Sequence, residues 1–330
     1  MIRNQWYVVL EANEVKPGKV LGVTRMGEKL AFWRGPDGKV TCMTDRCPHL
    51  GASLCMGKVR DGGLACPFHG LEFAPDGHCQ YLPAYGRNGD IPKNMRVGTY
   101  PTYEAFGLVW IYWGEAQATP EPPCFFDTIG PGHSYASFHQ HWPVHYSRVI
   151  ENQLDMAHLP FVHSNTIGKG GRAVVDGPLV RLNGDLLRVW VVNRLDDGTP
   201  RRRAEDLPEP SRHASLEFRF PNLWHNWISD DLHITVAFVP VDEENTLMYG
   251  CYYQRVVRVP LVRDLFNWMG KIGSIYIANQ DRRIVSEQLP KKTELRIGEK
   301  PLPSDRAILT YRQQRNRLKE DAATRRDGGA

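Results

Sequence analysis

A chain of 330 residues with 42% hydrophobic and 24% charged side chains has the composition of a folded globular protein and is long enough for two domains with cores of their own. The net charge of +4 is small and dispersed, which argues against a nucleic-acid partner, and no stretch reaches the ~18 apolar residues of a membrane span. Met1 to Trp6 leads straight into a strand-like segment without the cationic and apolar regions of a leader, so a cytoplasmic protein is the expectation.

Residues 1–115 read as short strands separated by turns, among them Glu28 to Trp33, Lys39 to Cys42 and Gly107 to Trp113. Pro36-Asp37-Gly38 and Pro75-Asp76-Gly77 mark hairpins. This is a small all-β domain. Within it Cys47, His49, Cys66 and His69 form a C-x-H-x16-C-x2-H pattern, with Gly51 and Gly70 closing two tight loops. Two thiolates on one iron and two imidazoles on the other hold a [2Fe–2S] cluster of raised potential, because neutral ligands replace anionic ones. Zinc also accepts two Cys and two His, but its usual spacings pair Cys with Cys and His with His. Cys42, Cys55, Cys79, Cys124 and Cys251 have no metal-like spacing and read as reduced thiols, Cys55 as packing between the two ligand pairs.

Residues 116–123, with three prolines, read as a linker into a second domain, 124–330. That domain is expected to open on a helix carrying Asp155 and His158 three apart on one face, with Pro160 ending or kinking it so that His163 returns to the same point. Two imidazoles then meet one metal, and a carboxylate would complete a 2-His-1-carboxylate triad for Fe(II). Asp281 is the candidate, with Asp264 and Glu287 as rivals on the same C-terminal stretch.

β-structure follows. Leu179 to Val192 holds the hairpin signal Asn183-Gly184, Leu216, Phe218 and Phe220 alternate, and Leu232 to Val241 and Thr246 to Val256 read as strands. Leu261 to Glu287 reads as a helix, with Leu261, Leu265, Trp268, Ile272 and Ile275 on one stripe. Gly270, Gly273 and Ser274 leave room there for a neighbouring element. The run Asn222 to Trp227 and Tyr249, Tyr252 and Tyr253 suggest a pocket, although half of any strand points away from it. Basic runs at Arg201 to Arg203, Lys291-Lys292 and Arg312 to Arg326 read as solvated loop and tail, or as a face for an acidic redox partner; Gly328 to Ala330 reads as a frayed end.

These two motifs in this order resemble the oxygenase (α) component of Rieske non-haem iron ring-hydroxylating oxygenases, in particular the α-only aromatic monooxygenase and demethylase branch. The resemblance implies an α+β chain: an N-terminal all-β Rieske domain and a C-terminal catalytic domain with a curved antiparallel sheet flanked by helices. It implies Cys47, His49, Cys66 and His69 around the cluster, His158, His163 and Asp281 on a mononuclear Fe(II), and Asp155 as an electron-transfer bridge between imidazoles rather than a ligand. It further implies O2 and an aromatic or heterocyclic substrate, a separate NAD(P)H-dependent reductase or ferredoxin, and a homotrimer. A cis-dihydroxylating dioxygenase shares the ligand set, whereas a non-catalytic Rieske electron carrier would explain the first motif only. Leu50, Phe68 and Leu71 depart from the family's usual Arg, Tyr and Trp and are expected to line the cluster pocket.

Overall fold

The structure, a computed structural model, describes residues 1–114, 119, 121–122, 124–210 and 213–327, the side chains of 325–327 aside. Most of the expected linker and the expected frayed end at 328–330 lie outside the described residues. The chain divides into two compact units, one of Arg3–Cys124 and one from Phe125 onward together with Met1–Ile2.

The first unit is all β among its described residues, apart from single 3-10 turns. One four-stranded sheet joins Val20–Arg25, Glu28–Arg34, Val40–Thr44 and Thr99–Tyr100; a second joins Lys58–Arg60, Gly63–Ala65, Glu72–Phe73 and Cys79–Tyr81. A three-stranded sheet pairs Gln5–Glu11 with Leu108–Trp113 and that strand with Thr102–Ala105. Both expected turns form: Gly38 (φ +81°) and Gly77 (φ +86°) occupy the left-handed region that glycine adopts without steric cost. Ala31, Trp33, Met43, Leu54, Leu64 and Phe73 make one core with Cys47 and Cys66, so the bases of the two ligand loops are anchored in packed apolar residues. Cys55 fills space beside Gly22, as expected of a packing residue.

In the second unit seven strands form one antiparallel sheet: β1 Ser134–Trp142, β2 Val174–Asn183, β3 Leu186–Arg194, β4 Leu216–Arg219, β5 Leu223–Ser229, β6 Leu232–Pro240 and β7 Thr246–Gln254, in the spatial order β1-β7-β6-β5-β4-β3-β2. Among the described residues four α-helices accompany it: α1 Tyr146–Leu154, α2 Leu159–Val162, α3 Pro260–Val285 and α4 Arg306–Asp327. The fold class is α+β. Strand period places Leu216, Phe218, Trp224, Val236, Phe238 and Met248 on one face, where they pack with Tyr146, Val149, Ile150 and Leu154 of α1 and Tyr311 of α4. Each buried aromatic there contributes about 2–3 kcal/mol by leaving water.

Three expectations are corrected. The domain does not open on a helix, because β1 precedes α1 and pairs along its whole length with β7. The apolar stripe of α3 does not enter a core: Leu261, Leu265, Trp268 and Ile272 are exposed, and Ala278, Asp281 and Val285 are the buried positions. Tyr252 packs so closely on Gly270 that a Cβ there would lie 2.3 Å from the ring, whereas Gly273 has nothing near it.

The third correction concerns the basic runs. Arg312 to Arg326 belongs to α4 rather than to a solvated tail, and Arg312 and Arg315 are buried. Arg312 grips Glu151 of α1 with two parallel bonds, Nε to Oε1 at 2.9 Å and Nη2 to Oε2 at 2.6 Å, and Glu299 bridges Arg312 and Arg148 at 2.8 and 2.7 Å. Arg202 likewise binds the fully buried Asp176 at 2.9 Å. Removing one member of a buried pair strands the other charge, so Arg312→Met is expected to lower unfolding free energy by about 3–5 kcal/mol in urea titration. The double variant Glu151→Leu/Arg312→Met should recover much of that loss; equal loss in both would show that packing of the Arg stem, not the charge, is what matters.

Candidate cluster and metal sites

Cys47 and Cys66 each begin a loop of one hydrogen-bonding plan. Cys47 N–H donates to Ala52 O at 2.8 Å and Gly51 N–H to Cys47 O at 2.9 Å; Cys66 N–H donates to Leu71 O at 2.7 Å and Gly70 N–H to Cys66 O at 3.1 Å. Gly51 (φ +76°) and Gly70 (φ +72°) make the reversals possible. Both thiols are buried at the loop bases, while the His49 and His69 rings stand exposed at the tips, 4.7 Å apart. Burial pushes the Cys47 thiol up to about 11, because the thiolate is disfavoured away from water. Two inward sulfurs and two outward imidazoles on matched loops fit a Rieske cluster. Leu50 and Phe68 do not wall a closed pocket: both are exposed, Phe68 lying against His69 with ring centres 3.9 Å apart, and Leu71 alone is buried.

The second constellation is built differently from the expected helix. α1 stops at Leu154; Asp155 is extended (φ −89°, ψ 130°), and its Oδ1 accepts from Ala157 N–H at 2.7 Å. That short turn lets Asp155 Oδ2 meet His158 Nδ1 at 3.3 Å without a shared helix. Pro160 does not end a helix but lies in the first turn of α2, where its missing N–H costs nothing. His158 and His163 cap the two ends of α2, which is what brings their rings together, 5.2 Å between centres.

Asp281 reaches this pair from α3. Its Oδ1 lies 3.3 Å from His158 Nε2 and 3.0 Å from His163 Nε2, and the three donor atoms fall within 4.8 Å of one another. Asp264 and Glu287 are exposed. Three side chains outside the expected set orient the triad. Asn152 and Gln153 donate to Asp281 at 3.4 and 3.3 Å, and His163 Nδ1 meets Gln280 Oε1 at 2.8 Å. Gln280 is itself fixed by Thr166 Oγ1 and Asn165 Oδ1, at 3.0 and 2.8 Å. With both Nδ1 atoms engaged, both Nε2 atoms converge on one carboxylate oxygen, a donor set that suits a divalent ion with open positions.

The side chains of the triad also set one another's charge. Burial alone would lower the His158 pKa, but hydrogen bonds to Asp155 and Asp281 carry it up to about 9; burial would raise that of Asp281, but the two imidazoles hold it down at about 2. The raised His158 stabilises the metal-free fold fully below its unfolded value near 6.5 and loses that contribution as pH climbs through 9. The depressed Asp281 contributes above its unfolded value near 3.8 and fails only as pH falls toward 2. Metal-free protein is therefore expected to lose melting temperature between pH 6.5 and 9, and metal-loaded protein to lose much less over the same range, by calorimetry. Parallel curves for the two forms would show that His158 is not the titrating group.

A cavity of about 310 Å³ opens on the triad, walled by Phe138, Met156, Leu159, Ile234, Val236, Met248 and Ile277. Of the pocket residues suggested by sequence, Trp224 and Asn226 line it; His225 and Trp227 alternate to the opposite face of β5, and Tyr249, Tyr252 and Tyr253 are not among its walls.

Comparison with known proteins matches both halves of the chain. Residues 5–102 match the Rieske [2Fe-2S] domain, and residues 142–321 match the vanillate O-demethylase oxygenase C-terminal domain. The 3-chlorobenzoate-3,4-dioxygenase oxygenase subunit of Comamonas testosteroni is 29% identical over 256 residues, 76% of this chain and 58% of that protein. The dicamba O-demethylase oxygenase component of Stenotrophomonas maltophilia is 37% identical over 164 residues, 49% of this chain and 48% of that one. The alignments thus cover about half the length of these curated relatives. Among solved structures, Pseudomonas putida CBB5 NdmA superposes with a TM-score of 0.79 at 22% identity, over 96% of this chain and 91% of that one, a likeness of fold. A Rieske domain joined to an oxygenase-type C-terminal domain defines the class, and the chain belongs to the vanillate O-demethylase oxygenase C-terminal domain family.

Proposed function

We propose that this chain is a terminal oxygenase component that hydroxylates or oxidatively demethylates an aromatic or heterocyclic small molecule. The observation that carries the reading is the convergence of His158, His163 and Asp281 at the end of a largely apolar cavity, in a chain that also bears a Rieske domain. Residues 1–115 would form the cluster domain, with Cys47, His49, Cys66 and His69 as ligands, and 124–330 the catalytic domain, with His158, His163 and Asp281 holding a mononuclear Fe(II). When bound, the cluster supplies electrons one at a time and the iron supplies the place where O2 is reduced.

The chain's own residues do the rest. Asp155 and Gln280 accept hydrogen bonds from Nδ1–H of His158 and His163, which fixes the tautomer that leaves each Nε2 lone pair for the metal. Asn152 and Gln153 hold the Asp281 carboxylate toward the same point. The apolar walls exclude water from the reacting ring, limiting loss of oxidant to side reactions.

A cis-dihydroxylating dioxygenase is the second reading, favoured by the 76% of this chain that aligns with a relative named as a dioxygenase. A Rieske electron carrier leaves the second constellation unexplained. The reductant would come from a separate NAD(P)H-dependent reductase or ferredoxin. Assembly as a homotrimer is proposed on the family resemblance alone; the exposed stripe Leu261, Leu265, Trp268 and Ile272 is apolar surface of the kind that interfaces cover. Among the described residues no helix is long and apolar enough to cross a membrane; a cytoplasmic location is part of the proposal. The test is a single turnover: reduced, iron-loaded protein is mixed with candidate aromatic ethers, esters and N-methyl compounds, O2 is admitted and the product identified. An alcohol or phenol carrying one oxygen from O2, or a phenol or amine released with one equivalent of formaldehyde in an O2-dependent turnover, supports the proposal; a cis-diol selects the second reading, and no O2-dependent product from any candidate by fully loaded protein would overturn both.

A further inference from the structure

The face of the sheet turned away from the triad carries a second titratable cluster. Glu217 on β4 stands opposite His225 on β5, and His233 enters from β6 on the same face, each alternating with residues that line the cavity. Both imidazoles are buried. Three contacts string them together: His225 Nδ1 to Glu217 Oε2 at 3.0 Å, His225 Nε2 to His233 Nδ1 at 3.0 Å, and His233 Nε2 to the Asp230 carbonyl oxygen at 3.3 Å. Phe126 stacks on His225, and the His133 ring meets His233 edge-on.

The protons on this string can be counted. Both ends are acceptors. The Asp230 carbonyl is one always; burial would raise the pKa of Glu217, but hydrogen bonds from His225 and from Arg188 Nε, at 2.9 Å, hold it down, so it is an ionised carboxylate. The outer nitrogens, His225 Nδ1 and His233 Nε2, must therefore both carry hydrogen, and the bond between the rings needs one hydrogen more. That makes three protons on two imidazoles, one more than two neutral rings hold. A neutral pair leaves one contact without a hydrogen, and a doubly charged pair sets two N–H groups face to face. The second proton is resisted: burial first, then His225, hold His233 down at about 4. A depressed imidazole contributes stability above its unfolded value near 6.5 and loses it as pH falls from there through 4.

We infer that Glu217, His225, His233 and the Asp230 carbonyl form a proton-dependent clasp behind the cavity, which holds the β5–β6 hairpin in its cavity-lining form while the two imidazoles share one extra proton and loosens the turn when that proton leaves. His225 and His233 are positioning residues, for Trp224, Asn226, Ile228, Ile234 and Val236 line the cavity from the same hairpin. The contact given up is the one to Asp230, because a carboxylate is the stronger acceptor and the 3.3 Å bond to the turn is the longest of the three. Facing the pair from neighbouring elements are Arg188 on β3, His133 ahead of β1, Cys251 and Tyr253 on β7, and Arg255 beyond β7, tied to Asp231 of the turn. The arginines keep their charge throughout, and burial raises Tyr253, so His133 is the imidazole to be told apart from the pair. The inference does not depend on the oxygenase reading, since no residue of the triad takes part in it.

The test is hydrogen exchange of the full-length protein, read peptide by peptide by mass spectrometry from about pH 5 to about pH 9, the range in which imidazoles change charge. Rates are expressed as protection relative to the unstructured chain, so that the pH dependence of exchange itself cancels. Protection of Trp227 to Ile234 is expected to fall by about tenfold in one step as pH rises, the worth of about one net hydrogen bond, while the β2–β3 hairpin at Gly184 shows no step. Glu217→Gln is the deciding variant. Its carboxamide can leave the oxygen on Arg188 and turn an N–H to His225 Nδ1, so a neutral pair then completes every contact; the step should vanish, with protection at high pH about tenfold above wild type. His233→Phe, which ends the string, should show low protection at every pH and no step. His133→Gln should keep the step. No step in the wild-type protein, a step that persists in Glu217→Gln or in His233→Phe, lower protection of Glu217→Gln at every pH, or a step that His133→Gln abolishes would each overturn the inference.

Discussion

Replacing Asp281 with alanine is expected to empty the mononuclear site and leave the cluster intact. Anaerobically purified protein should contain two irons with acid-labile sulfide and one further iron per chain, and the variant should fall toward two. The physical ground is that Asp281 is the group both Nε2 atoms face, at 3.3 and 3.0 Å, and the one anion among the three converging ligands. Without it two neutral imidazoles remain, and a hard divalent cation loses both a ligand and its nearest compensating charge. Affinity should fall by more than the roughly 10- to 100-fold typical of losing a mere supporting hydrogen bond, and product formation with it. The cluster's visible spectrum and sulfide content should not change, since its ligands belong to loops that fold around Cys47 and Cys66. Asp264→Ala and Glu287→Ala, at the exposed rival carboxylates, serve as controls. Full mononuclear iron in Asp281→Ala, or loss of it in either control, would mean the wrong carboxylate was chosen.

How far the sequence could be read depended on whether each signal was local. The two cluster loops are written in consecutive residues, with Gly51 and Gly70 marking the reversals, and the hairpins at Gly38, Gly77 and Gly184 were legible for the same reason. β1 was not, because Ser134–Trp142 carries Gln140, His139 and His141 among its apolar residues; Gln140 is tolerated inside only because Ile275 O and Asn279, far along the chain, accept from it. α4 was misread on the same ground. Its arginines are solvated-looking until Glu151 and Glu299 are brought to them by the fold. Pro160 is ambiguous in any string, since proline suits the start of a helix as well as the stop, and only the extended backbone at Asp155 decides between them. Gln280 stands beside Asp281 in the sequence, yet its bond to His163 spans more than a hundred residues and no local pattern announces it. Composition likewise said that Trp224 and Asn226 belonged near a pocket; which face of β5 they take is fixed by register with Phe218 and Leu216.

Asp155→Asn should separate holding a metal from serving it. Asp155 lies on the far side of His158 from the triad, its Oδ2 on Nδ1 while Nε2 faces Asp281, so the proposal makes it an electron-transfer bridge and not a ligand. Asparagine keeps the shape and an acceptor oxygen but removes the charge that, with Asp281, raises the His158 pKa. The variant should retain full iron and sulfide and an unchanged cluster spectrum. Its turnover should nonetheless fall by about 100-fold, the upper end of what a residue orienting a metal-bound imidazole contributes. Asp155→Ala, which also frees the ring to rotate, should fall further. The deciding measurement is rapid mixing of reduced protein and substrate with O2, following the cluster's absorbance. A bridge predicts slow cluster oxidation while nitric oxide still gives the ferrous-nitrosyl signal of an occupied iron site. A purely structural role predicts instead that the signal and the iron are lost together, and iron lost from the Asn variant would make Asp155 a ligand. Normal cluster oxidation and normal turnover would remove it from the mechanism, leaving the orientation of His158 to α2 and Asp281 alone.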